Sequence, residues 1–113
     1  LMNGPSFGSL FETMVVCDFL KRFLNSGERP SMYYFRSRDG LEIDLIIERE
    51  RKLHLFEIKS SMTILPKHII PLKRMTAELG AAVKTAAVIS CTEDNFLVQS
   101  GIANYGWKNV LAI

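Results

Sequence analysis

Cysteine is scarce in this chain: Cys17 and Cys91 stand far apart, with no CxxC or Cys/His spacing around either. That pattern argues against a zinc site and gives no basis for a structural disulfide, so reduced thiols in a cytoplasmic protein are the plain reading. Long apolar runs are missing too. No stretch reaches the roughly 18 residues needed to span a bilayer, and the amino end lacks a signal peptide's basic start and cleavage site. A soluble protein with no membrane partner is expected. Charge of one sign is not in excess: 14 Lys and Arg against 12 Asp and Glu leave a net +2, which permits a nucleic-acid partner without demanding one. There is no P-loop glycine pattern, internal repeat, low-complexity tract or interdomain linker. What remains is 113 residues, 48% of them hydrophobic, enough for one core and too few for two ordinary domains. The start at Leu1-Met2 suggests a carboxy-terminal piece of something longer.

Periodicity and punctuation divide the chain into elements. From Ser6 to about Leu24, Phe7, Leu10, Phe11, Met14, Val15, Phe19 and Phe23 recur at three-to-four spacing between Pro5 and Asn25-Ser26-Gly27, which predicts a helix. Ser31 to Ser37 is aromatic-rich and reads as a strand. Arg38-Asp39-Gly40 turns it into a second strand, Leu41 to Ile47, and a charged hairpin at Glu48 to Arg51 leads to a third, about Lys52 to Ser60. These three form an antiparallel meander. A helix is expected from Pro66 to about Leu79, starting late or kinked because of Pro71, with Gly80 as its cap. Lys84 to Ser90 reads as a buried strand, reached by a right-handed crossover and so parallel to its neighbour. Phe96 to Val98 and Val110 to Ile113 are lesser strand candidates.

The second and third strands carry acids where aliphatics would be expected. Alternation puts Glu57 and Lys59 on one face of the third strand and Phe56 and Ile58 on the other, with Asp44 able to stand beside Glu57 on the second. Two half-buried carboxylates about 4 Å apart repel by roughly 4 kcal/mol at an effective dielectric near 20. A divalent cation and the Lys59 ammonium would offset that; a simple cross-strand ion pair is the alternative. A second acid-x-Lys tripeptide, Glu50-Arg51-Lys52, has no apolar flanks and reads as a solvated turn.

The order helix, three-strand meander with an acid and then acid-x-Lys, helix, parallel strand resembles the PD-(D/E)XK nuclease superfamily. More narrowly, Gly8-Ser9-Leu10-Phe11-Glu12, Tyr33-Tyr34-Phe35-Arg36, Asp39-Gly40-Leu41-Glu42-Ile43-Asp44 and Phe56-Glu57-Ile58-Lys59-Ser60-Ser61 resemble an uncharacterised domain of unknown function found carboxy-terminal to AAA-type ATPase modules in bacteria and archaea. The resemblance implies an α/β fold with a restriction-endonuclease-like core and a Mg²⁺- or Mn²⁺-dependent phosphodiesterase acting on DNA or another nucleic acid. It implies Asp44 and Glu57 as metal ligands, joined by the Ile58 carbonyl, and Lys59 as the group that positions or activates water. Glu12 matches, by position, an extra carboxylate supplied from the first helix. The implied partner is an ATPase module in the same full-length chain. The rival reading is an inactive, nuclease-derived binding or regulatory module, and a third is an assembly domain whose acids pair internally.

Other residues carry less. Glu12 falls on the helix's apolar stripe, with Gly8 one turn before it as a place for another backbone to approach closely. Glu42 either joins the site or, as favoured, pairs with Arg36. Arg36 and Arg38 either hold phosphates or are merely solvated. His54 and His68 read as structural histidines, and Tyr105 and Trp107 as core aromatics rather than base-stacking ones. Lys67, Lys73 and Arg74 on the second helix replace the glutamine or tyrosine of some nuclease relatives. Free strand edges leave a dimer open.

Overall fold

A computed structural model describes residues 5–29, 31–99 and 101–107. The first helix, α1, runs Pro5–Asn25; the meander is β1 (Met32–Arg36), β2 (Glu42–Arg49) and β3 (Lys52–Lys59). A single 3-10 turn, Pro66–Ile69, then leads into α2 (Ile70–Leu79), so Pro71 sits in the first turn, where its missing N–H is no loss, and the α-helix starts late. The chain returns through β4 (Val83–Ser90), β5 (Phe96–Gln99) and β6 (Ile102–Gly106). Among the described residues no helix is long and apolar enough to cross a membrane. The strand expected over Val110 to Ile113 lies outside the described residues.

The six strands form one mixed sheet in the order β1-β2-β3-β4-β6-β5. β1, β2 and β3 pair antiparallel, β4 pairs parallel to β3 and to β6, and β5 closes antiparallel on β6. α1 covers one face, where Phe11, Val15 and Phe19 pack on Leu45, Ile47, Phe56, Ile58, Ala87 and Ile89. α2 covers the other, setting Ile69, Leu72 and Met75 against Ile43, Ile46, Leu55, Ala86 and Val88. Covering both faces explains the unbroken apolar runs Leu45-Ile46-Ile47 and Ala86-Ala87-Val88-Ile89. The radius of gyration, 13.6 Å, is near the roughly 13 Å of a compact domain this long.

β6 is the element that pattern reading passes over. Asn104 and Gly106 are poor strand formers, yet Asn104 is fully buried. Its side chain completes a polar cluster: Ser90 Oγ donates to Asn104 Oδ1 at 2.7 Å, and Asn104 Nδ2 donates to Thr92 Oγ1 at 2.9 Å and to the Asp94 carbonyl at 3.1 Å. Each buried polar group so satisfied escapes the cost of about 1–3 kcal/mol for an orphan.

β2 contains one extra residue. Tyr33 pairs with Ile46 and Phe35 with Ile43, so two steps on β1 span three on β2. This bulge at Asp44-Leu45 shifts the alternation: Ile43 faces α2, whereas Leu45 and Ile47 face α1. The turn before β2 is tied by Ser37, whose hydroxyl donates to Asp39 and accepts the Leu41 N–H, while Arg74 on α2 reaches Asp39 Oδ2 at 3.1 Å.

The hairpin between β2 and β3 closes on Glu50 and Arg51, both in the left-handed region at φ 55° and 64°. Two such residues between the Arg49–Lys52 pair make a mirror-image turn that Asn-Gly prefers. Left-handed backbone costs a side-chain-bearing residue roughly 1–2 kcal/mol. The double substitution Glu50→Asn, Arg51→Gly is therefore expected to raise the thermal midpoint by about 4 °C or more, read by circular dichroism melting.

Candidate functional site

Because β3, β4 and β6 run parallel, their carboxyl ends lie together, Lys59 beside Ser90 and Ser90 beside Gly106. Open α/β sheets bind ligands outside such strand ends. Antiparallel pairing brings the start of β2 to the same end. The first turns of α1 arrive there as well: a Cβ built on Gly8 would lie 3.6 Å from Ser60 Oγ. That is ordinary contact with a side chain, so the expected close backbone approach at Gly8 is not found, and alanine would fit in its place.

The β2–β3 pairing runs from Arg49↔Lys52 to Leu45↔Phe56 and stops. At the next position Asp44 Oδ2 takes the Ile58 N–H at 2.8 Å, so a carboxylate stands where a backbone carbonyl would otherwise accept. The bulge places this carboxylate where the two strands part. Glu57, two residues before Lys59, is 4% exposed. Its Oε2 lies 3.6 Å from Lys59 Nζ, and its Oε1 is buried with no hydrogen-bond partner among the described residues.

Burial is the main cause that pushes the Glu57 carboxyl up to about 8; the Asp44 charge adds to the rise, and the Lys59 ammonium and then the Asp44 backbone N–H oppose it. At neutral pH Glu57 is thus largely protonated, and its contact with Lys59 is not a full ion pair. Glu12 responds to the same neighbours: burial first and then the Asp44 charge raise its pKa, Lys59 lowers it, and Glu42 raises it slightly. Glu12, Asp44, Glu57 and Lys59 therefore share one electrostatic neighbourhood. Glu12 stands at the margin of the α1 stripe rather than within it; Phe11, Val15 and Phe19 are the buried residues, and Glu12 is half-buried. The four do not form a closed cage. Among the described residues, no three His, Cys, Asp or Glu side chains are grouped so as to hold a metal ion.

A cavity of about 320 Å³ opens beside the acids, between α1 and β1, lined by Glu12, Val16, Tyr33, Tyr34, Asp44 and Leu45 with Met32. A second, of about 370 Å³, continues along α1 past Glu12 and Val16 to Ser9, Thr13 and Cys17. Tyr33 and Tyr34 were read from sequence as strand formers and as part of a motif shared with the resembling domain, with no role at the site. Both line this cavity beside the register shift between Tyr33 and Phe35, and both remain more than half exposed.

The remaining candidates divide. Arg36 Nε lies 3.3 Å from Glu42 Oε1, the favoured pairing. Arg38 is exposed and forms no ion pair among the described residues. His54 Nδ1 meets Thr85 Oγ1 at 2.8 Å, and His68 Nδ1 accepts the Leu65 N–H at 3.0 Å, so both histidines are structural. Tyr105 packs against the α1 core, and Trp107 meets Phe11 edge-on at 6.5 Å. Cys17 and Cys91 are free thiols.

A family model described as a domain of unknown function (DUF4143) matches residues 7–109. No curated protein and no solved structure matches the chain.

The buried carboxyl makes stability depend on pH with a definite sign. Between its unfolded value near 4.5 and its folded value of about 8, Glu57 binds more protons in the folded chain than in the unfolded one. Stability is then expected to fall as pH rises across that window, with a slope approaching about 1.4 kcal/mol per pH unit at its steepest. Glu12 adds a term of the same sign. Urea melts at stepped pH check this: Glu57→Gln, which keeps shape and cannot ionise, should flatten most of the dependence.

Proposed function

The chain belongs to the DUF4143 family, and from that premise we propose that its carboxylate end is the site of a divalent-metal-dependent phosphodiester hydrolase acting on DNA or another nucleic acid. In this reading the α/β fold is a restriction-endonuclease-like one. The resemblance to PD-(D/E)XK nucleases supplies the substrate class, and an ATPase module in the same polypeptide would drive or gate the reaction.

One observation carries the proposal. Glu57 Oε1 is buried without a hydrogen-bond partner among the described residues, in a group whose charge is suppressed by burial and by Asp44. Leaving a polar atom orphaned costs about 1–3 kcal/mol, and a cation in front of it would relieve both the orphan and the repulsion. The donor set suits Mg²⁺, which keeps several waters and is usually held by one or two carboxylates rather than by an all-protein cage. Asp44 and Glu57 would hold it, with the Ile58 carbonyl, and Glu12 would reach it through water. When bound, the ion would neutralise phosphate charge and lower the pKa of a water. Lys59 would stabilise the negative charge that develops on attacking water and phosphate oxygens. Asp44 has a second duty in positioning, because its bond to the Ile58 N–H holds the opened end of β3 in register.

A second reading has its own support. Asp44 already uses one oxygen on the backbone, and among the described residues no three acids group closely, as in a module that keeps a nuclease's framework but binds or regulates instead.

Plasmid, single-stranded and branched DNA incubated with Mg²⁺ or Mn²⁺ separate the readings. Metal-dependent cleavage is expected, reduced at least a hundredfold by Lys59→Ala; equal cleavage by that variant would remove Lys59 from the mechanism. Metal binding without cleavage would favour the binding module, and no metal binding would leave an internal acid pair. Calorimetry in buffers of different ionisation enthalpy should show up to one proton released per ion bound at neutral pH, because Glu57 must ionise.

Asp44→Asn is isosteric and keeps an acceptor for Ile58 while removing the repulsion. It is expected to raise the metal-free midpoint of unfolding and to abolish the rise that metal gives the wild type. A metal-free midpoint that falls would mark the pair as purely structural.

A further inference from the structure

β1 is one edge of the sheet, and its sequence runs Tyr33-Tyr34-Phe35 and then Arg36 along that edge. Tyr33 and Tyr34 are 53% and 57% exposed. Both line the 320 Å³ cavity whose floor includes Asp44 and whose far wall is Glu12. Arg36 follows, 67% exposed at its side chain even while paired with Glu42, and Arg38 lies exposed in the turn beyond. Large exposed aromatics cost solubility and do nothing for the core, whereas next to acids at a strand end they supply flat faces.

Resting on the hydrolase reading, we propose that this edge selects the substrate: a single-stranded nucleic acid, its unpaired bases stacked on Tyr33 and Tyr34 and its phosphates held by Arg36 and Arg38. The size of the space argues for a strand rather than a duplex. A cavity of about 320 Å³ accepts a base with its sugar, while the paired and stacked bases of a duplex offer no free face to a side chain. Arg36 and Arg38 follow the aromatics toward the turn end of the edge, where Arg38 forms no ion pair among the described residues and a phosphate would compete with Glu42 for Arg36. The groove that continues along α1 past Glu12 and Val16 to Ser9, Thr13 and Cys17 gives the strand an exit. The tyrosines act by positioning. Neither is asked to touch the bond that breaks.

Binding tests this separately from cleavage. Fluorescein-labelled twelve-residue oligo-dT and oligo-rU, and a duplex of the same length, are titrated with the protein in EDTA, where no hydrolysis can occur. At least tenfold tighter binding of a single strand than of the duplex is expected, with the dT and rU arms showing which sugar is preferred. Tyr33→Ala and Tyr34→Ala should each weaken single-strand binding about five- to a hundredfold, the range set by the loss of one stacked base. Tyr→Phe at the same position should restore it, and the thermal midpoint of each Tyr→Ala variant should fall by no more than about 8 °C, since both side chains are more than half exposed. Arg38→Gln should weaken binding and reduce its salt dependence.

Duplex binding equal to or tighter than that of either strand overturns the proposal, as does single-strand binding indifferent to both Tyr→Ala changes. Selective, tyrosine-dependent binding by a protein that cleaves nothing would uphold this edge as a single-strand platform and sink the hydrolase reading alone.

Discussion

Placing a nearly inaccessible carboxyl group beside a second carboxylate is the constraint around which one end of this sheet is organised. Hydrophobic packing of α1 and α2 brings Phe56 and Ile58 under one helix and Leu55 under the other, and Glu57 is carried inward with them. Its charge is then opposed twice, by the loss of water and by Asp44. Lys59 compensates only in part, from 3.6 Å. A domain stable by about 5–15 kcal/mol tolerates such an arrangement because Glu57 can take up a proton.

The rest of the end of the sheet follows from how β2 and β3 part. Their ladder closes at Leu45 and Phe56, and Asp44 answers the next backbone donor with its own side chain. One carboxylate oxygen thus preserves the hydrogen-bonding of β3 while the other remains near the gap. β4 and β6 add a polar floor nearby through Ser90, Thr92 and Asn104. It is fully buried and internally satisfied, and serves as a rigid support.

Much of this was legible beforehand for a simple reason: the elements with strong periodicity are those whose burial decides their form. α1, the meander, the late start of α2 at Pro71 and the parallel return of β4 all follow from apolar spacing and from where proline and glycine fall. The hairpin decoy Glu50-Arg51-Lys52 could be set aside because it has no apolar flanks, and Glu50 and Arg51 are indeed the turn. β6 was illegible because its buried residue is an asparagine, whose value lies in partners contributed by β4 and the loop after it. The marginal place of Glu12 and the slack at Gly8 depend on the rotation of α1 about its axis, which a helical pattern gives only to within a residue. The exposed tyrosines were hidden by being good strand formers, since propensity does not tell a core aromatic from one at an open edge.

The extra residue in β2 bears on how this protein tolerates change. It acts as a phase shift between two halves of one strand, letting Ile43 obey one helix and Leu45 the other while Asp44 sits at the junction. Exchanging any of these side chains for another of similar volume disturbs one contact. Deleting a single position would instead rotate every residue on one side of the junction by half a pleat, exchanging the side chains that face α1 for those that face α2 along the strand. Chain length through this stretch is therefore held more tightly than the identity of its aliphatic residues.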